Sequence, residues 1–424
     1  MSTETGDPPP AAAAPRGEAL LVPGTGGLFR SLRHRDFRLV WLGLIPALTG
    51  FWIQNIAQGW LAYELTGSAS FLGLVAAGSS IPMLFLSLLG GVIADRVNRK
   101  RLLVITRSLI AAMAFALATA ALAGYVRPWH LLAFAVGSGI AYSFDLPTRQ
   151  AVIRQLVPPE DLANAVALTS SMIQAAGVAG PALGGVLLGL VGAEGCFYLT
   201  AAGHLSLVGV LLFTRIPSAT GDHLERSILS NLAEGLDFIR RSEAILLLMV
   251  LAAIPSVLGG PYISFLPIFA TEVLGQGESG YGWLMAATMV GAVTGSLIIA
   301  AVGNTPRKAG FNIGGAVAFG LVLVLFALSS HFYLSLVLLA ATGVARSGYA
   351  TMNNAMVQLA TPDEYQGRVM SAYMITWNLQ PVGALLMGAA ADAVGVQAAV
   401  AAAGVLTALA VTALAAAKPV LRSM

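Results

Sequence analysis

Asp145, Arg149, His204 and Arg346 are ionisable side chains inside long apolar stretches of the chain. A charge in a low-dielectric span is costly, so each is a candidate for gripping a charged ligand or carrying a proton. Burial favours the neutral form of a carboxyl, which makes Asp145 the leading proton site. Arg346 offers a fixed fork of donors to an anionic ligand, or to Asp145 itself. Arg149 follows Asp145 by four residues and shares its helix face, so it competes as a local partner. Neutral polar residues join them: Gln54, Asn55 and Gln58, then Tyr262, Asn353, Asn354, Asn378 and Gln380. Gln54 and Gln58 share a helix face and could hydrogen-bond a ligand. Each polar residue taken alone serves equally well as glue between helices.

The elements that must position these groups are membrane helices. Of 424 residues, 57% are hydrophobic and only 10% charged, too few charges to cover a soluble domain of this size. Crossing a bilayer takes roughly 20 apolar residues, so twelve spans need about 240. The hydropathy pattern predicts spans at 39–63, 71–94, 102–124, 129–153, 164–190 and 195–214. A second set follows at 244–272, 281–302, 310–329, 333–358, 368–391 and 396–417. Arg346 then lies about thirteen residues into the tenth span, near the midplane.

Basic residues alternate in placement. Arg30, Arg33, Arg35 and Arg38 precede the first span, and Arg96, Arg99, Lys100 and Arg101 follow the second. Arg215, Arg226, Arg240, Arg241, Arg307, Lys308, Arg368, Lys418 and Arg422 fall on the same side, whereas the opposite loops hold only Arg127. The positive-inside rule therefore places both termini in the cytoplasm of an inner membrane. Residues 1–28 read as a disordered tail, 29–215 as one six-helix half, 216–243 as a linker with an amphipathic helix, and 244–424 as the other half.

The halves repeat. A shift of 204 residues aligns 139–161 with 343–365 without a gap, matching Gly139, Ser143, Pro158 and Glu160 to Gly343, Ser347, Pro362 and Glu364. In that register Arg346 meets Tyr142, three residues before Asp145, which sets Asp145 roughly 4–5 Å deeper by helix rise.

The loop after the second span, GGVIADRVNRKRLL at 90–103, resembles the signature loop of the major facilitator superfamily. Asn98 stands where that family has a second glycine and is expected to tolerate the left-handed backbone of the turn. In the fifth span GVAGPALGG, with Gly180, Pro181, Gly184 and Gly185, resembles the packing element of the exporter branch. Stretches at 58–75, 144–168 and 261–275 look like the enterobactin-exporter and macrolide-efflux branch. The resemblance implies an all-α membrane fold of twelve helices in two six-helix repeats, with helices 1, 4, 7 and 10 lining a cavity between the halves. It makes Asp145 and Arg346 the cavity charges and assigns Asp95, Arg96, Arg99, Lys100 and Arg101 to a cytoplasmic gate. Arg149, Arg154 and Glu160 join that gate, and His204, on a peripheral helix, is structural.

The activity implied is proton-coupled export of a small amphipathic or anionic compound, such as a drug or siderophore, by alternating access. Partners are that small molecule, protons and the bilayer, with the chain monomeric. A lipid or lysolipid flippase and a non-transporting membrane sensor are the other readings. No Walker loop, metal-ligand cluster or nucleophile–base pair is present, so neither an enzyme nor a cofactor is expected. The single cysteine, Cys196, excludes an intramolecular disulfide.

Overall fold

The computed structural model describes residues 27, 29–216, 234, 237–302, 308–377 and 379–423. The expected tail and most of the linker lie outside the described residues, as do Asn378 and the side chain of Asp95.

Ten helices among the described residues are long and apolar enough to cross a membrane. One of them, Pro159–Phe213, is two spans. Gly192 breaks it with φ 69° and ψ 179°, a backbone open only to glycine, giving α5 (159–191) and α6 (193–213). Before it come α1 (Arg35–Thr66), α2 (Ala69–Arg96), α3 (Arg99–Leu122) and α4 (Pro128–Gln155). After it come α7 (Glu243–Val273), α8 (Gly277–Val302), α9 (Lys308–Leu328) and α10 (Phe332–Ala360). The eleventh span, α11, is interrupted: Asp363–Trp377 and Gln380–Val394 are separate helices, the second opening with Pro381 in its first turn. α12 is Val396–Ala417. Twelve crossings result. They put both ends of the chain on one side, the terminus side, and the α1–α2 turn on the other, the far side.

The turn between α2 and α3 departs from the expectation for Asn98. Its φ is −63°, not left-handed, and its side chain accepts from the Arg101 amide at 3.0 Å as the N-cap of α3. Capping satisfies an otherwise orphaned helix donor, so the turn needs no glycine there. Beside it, the Lys100 ammonium donates to the Leu212 and Thr214 carbonyls at 3.0 and 2.9 Å, tying α3 to the end of α6.

The internal repeat is visible in the packing. Gly139 in α4 lies against the backbone of Ser79 in α2, and its counterpart Gly343 in α10 lies against the backbone of Thr288 in α8. One helical turn later in each pair of helices, Ser143 donates to the Pro82 carbonyl at 3.2 Å and Ser347 bonds Ser296 at 2.5 Å. Between the two sets of six helices, contact runs along two seams, α5 with α8 and α2 with α11. In each seam glycines bring backbones together: Gly185 on Gly282, Gly73 on Ala384, and Gly388 on Ala69. All three contacts lie near the far-side ends of their helices, so the far side is shut.

Candidate transport site

At the seams the two sets enclose a cavity of about 320 Å³. α1 contributes Trp52, Asn55 and Gln58, α2 contributes Ser79 and Ser80, and α8 contributes Tyr281. From α7 and α11 come Ser264 and Gln380. None of its lining residues is an acid, a lysine, an arginine or a histidine. The walls offer amides, hydroxyls and aromatic faces. Gln58 lines the cavity and its buried Nε2 has no hydrogen-bond partner among the described residues, whereas Gln380 donates to the Gly260 carbonyl at 3.2 Å.

The far-side lid above the cavity is polar at its rim. Asp392, in the last turn of α11, reaches across to the N-terminus of α2. It accepts from the Ala69 amide at 2.7 Å, the Ser70 amide at 2.9 Å and the Ser68 hydroxyl at 3.0 Å. A carboxylate at a helix N-terminus satisfies orphan donors and meets the positive end of the dipole. Nearby, the Tyr63 hydroxyl donates to Glu272 and Trp60 stacks on Tyr281, each pair joining α1 to the second set.

The ionisable residues form a separate cluster inside the first set. Pro147 removes one amide from α4, and the loosened turn carries Asp145, which is 1% exposed. Both its oxygens are taken by Arg107 of α3, Nε to Oδ1 at 2.6 Å and Nη2 to Oδ2 at 2.5 Å. Arg107 is the functional candidate that the sequence reading missed. It lies five residues into the third span, and a cation inside a span is itself the signal that marks it. The third guanidinium nitrogen, Nη1, bonds His204 Nδ1 at 3.0 Å, and His204 Nε2 bonds the Tyr142 hydroxyl at 3.2 Å. Arginine can only donate, so Nδ1 accepts and the ring proton sits on Nε2.

The expected pairing of Asp145 with Arg346 is replaced by this one. Neither lines the cavity; Arg346 is half-buried and near enough to act electrostatically on the Tyr262 and Tyr349 hydroxyls. Arg149 is buried near Asp145 and Arg107, with its Nη1 unpartnered among the described residues. Around Asp145 two guanidiniums therefore face one carboxylate. Tyr142 leads toward the cavity, its ring edge-on to Phe51 at 5.1 Å, next in sequence to Trp52.

Other expected residues divide. Gln54 is buried but does not line the cavity. Asn353 donates to the Leu248 carbonyl at 3.1 Å, joining α10 to α7, and Asn354 accepts from Gln358 at 2.6 Å. Arg96, Arg101, Arg154 and Glu160 are exposed on the terminus side and Arg99 is half-exposed there. In α5, Gly180 meets the Trp52 side chain, Gly184 meets Ile53 and Ile56, and Gly185 meets α8, so the element with Pro181 packs α5 against α1 and across the seam.

The sequence profile of the family described as transmembrane secretion effector matches residues 26–423. The chain is a member of this family of the major facilitator superfamily. It is 25% identical over 372 residues to the multidrug efflux pump Tap of Mycolicibacterium fortuitum, covering 85% of this chain and 90% of that protein. It is 25% identical to the staphyloferrin A transporter of Staphylococcus aureus, covering 82% and 87%. To macrolide efflux protein A of Streptococcus pyogenes it is 22% identical, covering 85% and 90%. The fold superposes on the inward-facing, unoccupied bacterial homologue of the human lysosomal transporter Spinster with a TM-score of 0.74 at 16% identity, covering 91% and 98%. A D-xylose–proton symporter gives 0.68 at 13% identity, covering 91% and 99%. This major facilitator chain is thus a multi-pass membrane protein with the shared transporter fold.

Proposed function

We propose that this protein is a proton-coupled exporter of the inner membrane that moves a small amphipathic compound, of the drug or siderophore kind, by alternating access. The observation that carries this reading is the cavity between the halves, closed on the far side and lined by neutral donors, acceptors and aromatic faces. Such a lining suits compounds that combine apolar rings with several hydrogen-bonding groups, and its size falls within the range of small-molecule sites. The relatives named for multidrug, macrolide and staphyloferrin A transport support the substrate class. The excess of Arg and Lys on the terminus side supports placing both termini in the cytoplasm. The far side is then the exterior, and the conformation is inward-facing.

In this reading Asp145 takes up the coupling proton, and Arg107 is its counter-charge. A proton on Asp145 removes the negative partner and leaves Arg107 and Arg149 as two buried cations. Proton loading therefore requires Arg107 to move or a new hydrogen-bonding partner to arrive, and this requirement links the proton to a change of conformation. Arg346 remains the candidate contact for an anionic substrate group.

The test is transport by purified protein in liposomes carrying an imposed pH gradient, screened over amphipathic dyes, macrolides and siderophores. Uphill, gradient-dependent accumulation is expected in wild type and is lost in Asp145→Asn, while substrate exchange without a gradient persists. Undiminished gradient-driven transport by Asp145→Asn would overturn the proton assignment.

A further inference from the structure

Trp52 of α1 lines the central cavity and is half-buried. Its indole lies along α5, where glycines make room for it. A Cβ on Gly180 would come within 2.7 Å of the indole Cγ, and one on Gly177 within 3.6 Å of Cζ2. The ring is therefore seated on the side away from the cavity.

From Trp52 a chain of side-chain contacts runs to Asp145. Trp52 meets Phe51 edge-on with centroids 5.4 Å apart, and Phe51 meets Tyr142 of α4 edge-on at 5.1 Å. Such aromatic contacts are directional, so a displaced ring disturbs the next one. Tyr142 then acts on Arg107 in two ways. The guanidinium carbon stands 5.9 Å from the Tyr142 ring centroid, a cation–π distance. The phenol oxygen accepts from His204 Nε2 at 3.2 Å, and His204 Nδ1 accepts from Arg107 at 3.0 Å. Arg107 holds both oxygens of Asp145. The other charged or titratable groups acting on Asp145 are Tyr142 and Arg149 of its own helix. α1, α2 and α5 carry their charged residues only at their ends.

We infer that Phe51 and Tyr142 couple occupancy of the central cavity to the protonation of Asp145. The inference deepens the functional reading and rests on that cavity being the substrate site and Asp145 the proton site. A ligand ring against Trp52 holds Trp52 and Phe51 in place, keeps Tyr142 on His204, and steadies the Arg107 fork on the ionised carboxylate. A proton on Asp145 releases the fork, frees His204 and Tyr142, and loosens the aromatic seat. Packed side chains with two arrangements can carry such coupling between sites. Ligand and proton then weaken each other's binding by the same factor.

The test adds rhodamine 6G to purified full-length protein in weakly buffered detergent. Dye polarisation reads binding, and a pH electrode reads protons released. Wild type is expected to release protons as the dye binds, and Asp145→Asn to release none. Phe51→Leu and Tyr142→Phe should bind the dye yet release at least about fivefold fewer protons. Tyr142→Phe keeps both ring contacts and loses only the hydroxyl, so it serves if Phe51→Leu folds poorly. Undiminished release by the folded variants, or proton uptake by wild type, overturns the proposal. A second arm needs no ligand. The ring-nitrogen shifts of labelled His204, assigned by difference against His204→Gln, should move in Phe51→Leu, two contacts away on another helix. Unmoved shifts overturn the relay whatever the substrate. Moved shifts in a protein without gradient-driven dye transport leave the relay and sink the exporter reading, whereas such transport with unmoved shifts does the reverse.

Discussion

Arg107 grips both oxygens of Asp145, at 2.6 and 2.5 Å, in a pair of which each side chain is only 2% exposed. The fork matches the carboxylate plane, the strongest geometry available to such a pair. His204 holds the guanidinium from its other end.

Breaking the pair from one side leaves a buried charge. Arg107→Leu should therefore destabilise the protein by about 3–5 kcal/mol, read as a fall in detergent melting temperature. The double variant Arg107→Leu/Asp145→Asn should regain part of that loss, since the stranded carboxylate is gone and Arg149 alone stays charged at the cluster, yet should not couple transport to a pH gradient. If the double variant melts no higher than the single one, the pair is not the source of the cost.

His204 is expected to carry its ring proton on Nε2, readable from nitrogen chemical shifts of labelled histidine. Replacing His204 by Ala leaves one Arg107 donor unmatched, at about 1–3 kcal/mol. His204→Gln, which can accept through its amide oxygen, should recover part of it. Equal melting temperatures for the two variants would deny the hydrogen bond its role.

The Asp392 cap ties α11 to the N-terminus of α2 through three hydrogen bonds. Asp392→Ala should loosen the lid by about 0.5–1 kcal/mol because the group is exposed and screened. Distances between spin labels on the far-side ends of α2 and α11 would report the effect. A wild-type distance distribution in Asp392→Ala would remove the cap from the gate.

At the α5–α8 seam a side chain has no room. A Cβ at Gly185 would overlap the Gly282 backbone, and one at Gly184 would sit 3.1 Å from Ile56 Cγ1. Gly185→Ala should push the far-side ends apart and disfavour the closed state, and Gly184→Leu should cost about 1–3 kcal/mol by overpacking. Transport at the wild-type rate by both would show that the seam tolerates separation.

Among the described residues that line the cavity, Gln58 is the one whose buried amide nitrogen has no hydrogen-bond partner. Gln58→Ala should weaken substrate binding by about five- to tenfold, the worth of one hydrogen bond of roughly 1 kcal/mol, without changing the melting temperature much. Unchanged affinity across chemically different substrates would place the ligand elsewhere.

The sequence alone determined the number and order of the crossings, because a span must be long and apolar wherever it stands. It also determined the repeat: Gly139 and Gly343 pack against matched neighbours because the two halves solve the same packing problem twice. Tertiary structure decided which groups meet. In a soluble helix the polar face announces the outside, but in a membrane the lipid-facing and buried faces are both apolar, so the pattern does not say where a side chain points. Asp145 could be placed in a span, yet its partner stood 38 residues away on a neighbouring helix, and only the rotation of α3 against α4 selected Arg107 over Arg149 or Arg346. Asp392 carries even less local signal, since it caps a helix 323 residues earlier in the chain. Such contacts are fixed when helices settle side by side, and no window of residues contains both members of the pair.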